Sequence, residues 1–294
     1  MMKFIANWIA SIFTSTSFKL GAKVFEHGKP WKVSSITQTR YGLFVAVYNS
    51  DSRANSKLFL NGEKIYEGRE ETIGRGLEMG DTVYFAGENG NLVTYRAGTI
   101  GKGVRLAFAS CCVSFAGRPY VFNSDQSGIG VINCLNGVRE FGMKGGGIVT
   151  QAVVDGDKLY AAASDGGGGV SCSDGTLISL PSCQCIVKFA GSMYCSSGNR
   201  IMEIADGKAS EATHLAYEKI MGMHVEGDRL WVATSGPEDD VLGVFDRRLR
   251  YKEIGRLAGG GTVGGSVFMS HVTDGYFARC PGGNAAEVYR IVGY

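Results

Sequence analysis

The sequence predicts an all-β fold, a β-propeller of repeated units of similar length closed into a ring. Three observations predict it. A turn glycine recurs at Gly42, Gly80, Gly117, Gly156, Gly191, Gly227 and Gly275, with gaps of 38, 37, 39, 35, 36 and 48 residues. Each glycine lies between two strand-like runs, as in AVVDGDKLYAAASDG and MHVEGDRLWVATSG. A second hairpin follows in six units, for example KLFLNGEKIYEG and RIMEIADGKASE. Two hairpins are four strands, the content of one propeller blade, and a period of this length marks a ring of blades.

The elements follow in order. The first hairpin of each unit turns on residues that accept positive φ, such as Asp-Gly and Ala-Gly. Its strands mix Val, Ile, Tyr, Phe and Leu, which suit a pleated, partly buried surface. The count is seven four-stranded blades, with six as the alternative if a unit is distorted near the long sixth gap. The last unit holds only three strands, ending in AEVYRIVGY. Residues Phe18 to Gly28, FKLGAKVFEHG, precede the first full unit and have no place in it. They are expected to complete the last blade, closing the ring and removing open sheet edges. A β-sandwich does not explain seven similar units.

Two domains follow: residues 1–16 as a docking helix and residues 17–294 as the propeller. In MMKFIANWIASIFTST, Phe4, Ile5, Trp8, Ile9, Ile12 and Phe13 fall on one helical stripe. The apolar stretch is too short to span a membrane, which takes about 20 apolar residues. No clean cleavage site follows it. The stripe is expected to dock into a protein partner's groove or to fold back on its own propeller.

Composition bounds the function. Glycine is 44 of 294 residues, about twice the usual share, consumed by turns and Gly-rich connectors. The net charge of +2 is too small to imply a nucleic-acid partner. Eight cysteines lack zinc-site spacing and mostly fall in strand runs, so they read as reduced core thiols of a protein that folds in the cytoplasm. The loops joining second and third strands carry Asp51, Glu88, Asp125, Asp165, Glu238, Asp239 and Asp240, against Arg53. That face is expected to be acidic, which disfavours nucleic acid. Such oxygens suit a hard cation, yet turn stabilisation accounts for them without a ligand, and no metal or cofactor is assigned. The basic run Arg247, Arg248, Arg250 and Lys252 lies in the second hairpin of the sixth unit, as a solvated hairpin or a patch for an acidic partner.

No motif names a reaction. Gly98 to Gly103 lacks the Ser or Thr of a phosphate loop and sits in a hairpin. There is no G-x-S-x-G elbow and no H-E-x-x-H. The repeats lack WD, kelch and Asp-box signatures; Ser173-Asp174-Gly175-Thr176 has no following Trp. A divergent, Gly-rich propeller led by a short apolar segment is similar to components of bacteriophage tails. That resemblance implies a structural, non-enzymatic role in a virion as nozzle, hub or fibre attachment, with other subunits or a host-surface glycan or protein as partners. The alternatives are a polysaccharide-acting glycosidase or lyase using loop carboxylates, and a soluble ligand-binding propeller.

Overall fold

The structure, a computed structural model, describes residues 18–49, 51, 55–69, 72–88, 90–106, 109–125, 128–164, 168–217, 219–236, 238–259, 272–281 and 285–293. The expected helix at residues 1–16 lies outside them. There is no α-helix among the described residues.

The chain opens with β1 (Lys19–His27). The first repeat is β2 (Trp31–Thr39), β3 (Gly42–Asn49), β4 (Asn55–Leu60) and β5 (Glu63–Arg69). The second is β6 (Thr72–Met79), β7 (Thr82–Glu88), β8 (Asn91–Arg96) and β9 (Thr99–Arg105). The third is β10 (Ala109–Phe115), β11 (Arg118–Asp125), β12 (Gly128–Asn133) and β13 (Arg139–Met143). Next come β14 (Ile148–Asp155), β15 (Lys158–Ser164), β16 (Gly169–Cys172) and β17 (Leu177–Ser179), then β18 (Ile186–Phe189), β19 (Ser192–Ser197), β20 (Arg200–Ala205) and β21 (Lys208–His214). The chain continues with β22 (Lys219–Glu226), β23 (Arg229–Ser235), β24 (Asp239–Phe245) and β25 (Tyr251–Ala258). It finishes with β26 (Val272–Thr273), β27 (Tyr276–Arg279) and β28 (Ala286–Val292).

Within each repeat the strands pair antiparallel in sequence order. The expectation of seven separate blades, or six, needs correction. Five four-stranded sheets stand apart, while the second and third repeats share one sheet of eight strands. The join is a single parallel pair, Arg75 on β6 with Cys111 on β10. Inner strands converge toward the ring axis, and a bridge forms once two come within the hydrogen-bonding spacing of a sheet.

The first strands of successive repeats touch in turn: β2 with β6, β6 with β10, β10 with β14, β14 with β18, β18 with β22, β22 with β26, and β26 with β2. They form the inner wall. Hydroxyls and amides stitch it together. Ser35 Oγ donates to the Gly74 carbonyl at 2.9 Å, Gly76 N–H donates to Thr37 Oγ1 at 2.9 Å, and Gln151 Nε2 donates to the Met223 carbonyl at 3.2 Å.

Apolar side chains fill each junction, because each sheet has two faces to cover. Val33, Val45 and Val47 pack against Ala278 and Val288 at the closure. Phe44 and Leu58 pack against Phe85 and Val93 at the next junction. Fully buried Trp231 shares a cluster with Leu242, Phe277 and Phe18.

The expected closing strand is present. β1 pairs antiparallel with β28, from Lys19 opposite Val292 to His27 opposite Ala286, and makes the fourth strand of its sheet. It also leans on the neighbouring sheet. A Cβ at Gly255 of β25 would come within 2.5 Å of Leu20 Cδ1, so glycine there lets β1 approach.

The seven recurring glycines all have positive φ. Gly42 shows the reason most fully, at φ 125° with Asn61 Oδ1 only 2.2 Å from where a Cβ would stand. That oxygen is engaged, accepting the Leu43 N–H at 3.0 Å.

Candidate functional site

Because the inner strands run parallel, all seven glycine turns lie on one face of the ring, with the turns between third and fourth strands. This turn face carries the entry of the chain. Phe18 stands just before Lys19, which pairs with Val292 at the end of β28. Its ring meets Trp231 edge-on at 5.1 Å, and the Arg229 guanidinium lies over the ring, 4.3 Å from its centroid. The predicted docking residues Phe4, Ile5, Trp8, Ile9, Ile12 and Phe13 lie outside the described residues, and Phe18 fixes where their segment joins the ring.

The predicted acidic loop residues that the structure describes stand in different settings. Asp51 is exposed in a turn, its N–H donating to Asn49 Oδ1 at 2.9 Å. Asp125 ends β11 opposite Gly128. Asp165 lies outside the described residues. Glu238 is exposed, and its carbonyl accepts the Gly259 N–H at 2.9 Å. Asp239 and Asp240 correct the expectation, since they belong to β24 instead of a loop. The Asp239 carboxylate pairs with Arg256 at 2.9 Å. Asp240 is 2% exposed and accepts the Ser235 hydroxyl at 2.7 Å. Strand alternation turns one of two adjacent acids inward, where a carboxylate requires a hydrogen-bond donor.

The basic hairpin is built around Asp246. Its carboxylate accepts the N–H groups of Arg248 and Arg250 at 2.9 and 3.0 Å and the Arg250 Nε at 2.6 Å. Burial pushes this carboxyl up, but the Arg250 side chain and the two backbone donors outweigh it and hold it below the usual value. Arg247 extends from the same turn, with Nε 4.0 Å from Asp228, and Lys252 follows in β25.

Between the β14–β17 and β18–β21 sheets, the turn face has a groove of about 430 Å³ lined by Tyr160, Met193, Glu203 and Asp206 among others. Lys158–Asp174 at 2.7 Å and Lys188–Asp155 are ion pairs on its walls. Among the described residues no group of three or more His, Cys, Asp and Glu side chains could hold a metal ion. All eight cysteines are free and buried. Burial pushes the Cys111 thiol up to about 11 and those of Cys185 and Cys280 up to about 12.

The inner wall holds a constellation that the sequence does not announce. Arg75 of β6 reaches His224 of β22, with Nη2 3.3 Å from Nδ1. His224 Nε2 in turn meets Asp274 Oδ1 in the turn after β26. A guanidinium only donates, so Nδ1 accepts, and the imidazole proton sits on Nε2 and points at Asp274. His224 is 13% exposed and Asp274 50%. Asp274 also lines a cleft of about 450 Å³ on the turn face, with Gln38, Tyr276 and Arg290. The three residues come from three repeats, 149 and 50 positions apart. No local spacing could find them.

No known family model matches the sequence, and neither does any characterised protein. Solved structures with the same fold do exist. The N-terminal part of BBS1, solved in complex with ARL6, is 14% identical with a TM-score of 0.58, covering 94% of this chain and 97% of that one. BamB from Moraxella catarrhalis is 12% identical with a TM-score of 0.51, covering 89% and 84%. Saccharomyces cerevisiae Sqt1 is 12% identical with a TM-score of 0.54, covering 88% and 83%. At such identities the likeness is one of architecture, and the architecture is a β-propeller.

Proposed function

We propose that this chain is a non-enzymatic interaction propeller, carried into a larger assembly by residues 1–16 and built as a propeller over residues 17–294. We read the eight-stranded sheet as two blades sharing one parallel pair, which makes the ring seven-bladed. Support for that reading comes from the inner-strand contacts, which run through seven strands before returning to the first.

The observation that carries the docking role is the anchoring of Phe18. The apolar stripe Phe4, Ile5, Trp8, Ile9, Ile12 and Phe13 is tethered to a residue that contacts both Trp231 and Arg229. A stripe delivered at a fixed point suits insertion into a partner's groove. The solved BBS1 domain, a propeller in complex with a protein partner, supports the wider reading. The assembly in view is a virion, with a bacteriophage tail as the example that the compositional resemblance suggests. The exposed acids Asp51 and Glu238 remain candidates for contact with a second subunit or a host surface. No helix among the described residues is long and apolar enough to cross a membrane.

The test is deletion of residues 1–16. The ring should fold with an unchanged β-type circular dichroism spectrum, since its closing strand begins at Lys19. Co-purification with the assembly should be lost. Retention of the truncated chain in the particle would refute the docking role.

A further inference from the structure

The geometry points to Arg75 as the recognition residue of an oxyanion site in the central channel, one that takes a small carboxylate or phosphate group. Arg75 is ringed by protein, and burial lowers its basicity. It nevertheless keeps some accessible surface. A side chain enclosed by inner strands and still reached by solvent looks into the channel.

An arginine offers five N–H donors. Among the described residues, the one side-chain hydrogen-bond partner of the Arg75 guanidinium is His224 Nδ1. That acceptor is an imidazole nitrogen and brings no negative charge. Among the described residues, the charged or titratable groups acting on Arg75 are Cys111, Asp274 and Cys185. Both thiols are pushed far above neutral pH and carry no charge. Asp274 is the one carboxylate, and it stands on the far side of the imidazole. Among the described residues this enclosed cation therefore lacks an anion in contact, although enclosed charges are normally paired. A bidentate oxyanion matches the free edge of the guanidinium fork.

His224 has a part in this. By accepting from Nη2 and donating to Asp274, it fixes one edge of the guanidinium and leaves the rest open. It is a positioning residue. Asp274 competes with the incoming anion through the imidazole, so its charge holds affinity down.

The experiment is thermal melting of the full chain at pH 7.5 with sodium acetate in one arm and sodium phosphate in the other. Sodium chloride balances the ionic strength. A saturable rise in Tm in either arm gives a dissociation constant, and the arm that saturates at lower concentration identifies the class of oxyanion. Arg75→Gln should weaken binding at least about 10-fold, the range of a lost charge-assisted pair. Asp274→Asn should tighten it by about 3-fold or more, since a repelling charge at partly screened distance is removed. The second result separates a site from general salt stabilisation, which Asp274→Asn does not sharpen. Should Arg75→Gln not fold, Arg75→Lys keeps the charge without the fork and should still weaken binding. Equal curves for wild type and the Arg75 variant, or no saturation in either arm, would overturn the assignment.

Discussion

Lys23 Nζ on β1 lies 3.0 Å from Glu287 Oε1 on β28, across 264 residues of sequence. The contact sits on the seam where the first strand meets the last. Glu287 gathers more than this lysine, accepting Arg279 Nε and the Tyr289 hydroxyl at 2.8 Å each. Arg279 also donates to the carbonyls of Leu257 and Ala258, so the seam is tied to the end of β25.

Removing the acid from this knot should be costly. Glu287 and Arg279 side chains are 11% and 9% exposed, and breaking a buried pair leaves the surviving charge uncompensated, at about 3–5 kcal/mol. Glu287→Gln is expected to fall at or below the lower end, since the amide still accepts. Lys23 is far more exposed, and Lys23→Met should cost much less. Urea titrations of the two variants check the order, and equal losses would remove Arg279 from the account.

Acid should open the same seam. Burial pushes Glu287 up, but hydrogen bonds from Arg279, Lys23 and Tyr289 outweigh it and hold the carboxyl below its ordinary value. A depressed folded-state pKa gives stability above the unfolded value, about 4.3, that is lost as pH falls through the folded value. Wild type should therefore lose stability faster than Glu287→Gln as pH drops below about 4.3. Melting curves from pH 6 to 3 measure the difference, and parallel curves would contradict it.

Two glycines of the repeat should respond differently to alanine. Gly156 has φ 62° with open space around the Cβ position, so Gly156→Ala costs only backbone strain, about 1–2 kcal/mol. Gly42→Ala adds a collision with Asn61 Oδ1 and forfeits its bond to Leu43 N–H. It should cost about 1 kcal/mol more. A double-mutant cycle with Asn61→Ala should be non-additive, as the collision vanishes with the side chain.

Phe18 should matter to the ring even where residues 1–16 do not. It is 9% exposed and packs edge-on against Trp231. Phe18→Ala should destabilise by about 3–5 kcal/mol and change the Trp231 fluorescence. The deletion of residues 1–16 should do neither.

The thiols should be silent. With Cys111 pushed up to about 11 and Cys185 and Cys280 up to about 12, these three offer almost no thiolate at pH 8, and burial keeps the reagent from all eight. Ellman's reagent should report close to zero fast thiols in the folded chain and all eight in denaturant. A fast-reacting thiol in the native protein would show that a blade junction opens readily.

Much of the architecture was legible because it is local. Each turn glycine sits between the strands it connects, and the surplus strand at Phe18–Gly28 pointed to its place by having no other. The bridge between Arg75 and Cys111 was not legible, since it arises where two repeats converge in space. Asp239 and Asp240 read as loop acids because neighbouring loop positions are also acidic; register with β23 and β25 decides that they are strand residues, with Asp240 inward. Arg75, His224 and Asp274 are ordinary residues in three separate repeats, and only the ring brings them together.

The pairing of β1 with β28 also sets a timetable. A ribosome makes β1 before the other strands of the ring and its hydrogen-bonding partner after them, so while the ring is being made β1 has a bare edge. An unpaired edge is a template for foreign strands, and a multi-sheet chain is most prone to misassembly while such edges wait. Lys19, Lys23 and Glu26 place three charges along β1, and charges on an edge discourage such pairing. The seam that holds the finished ring shut thus also carries the means of keeping the unfinished one from joining the wrong neighbour.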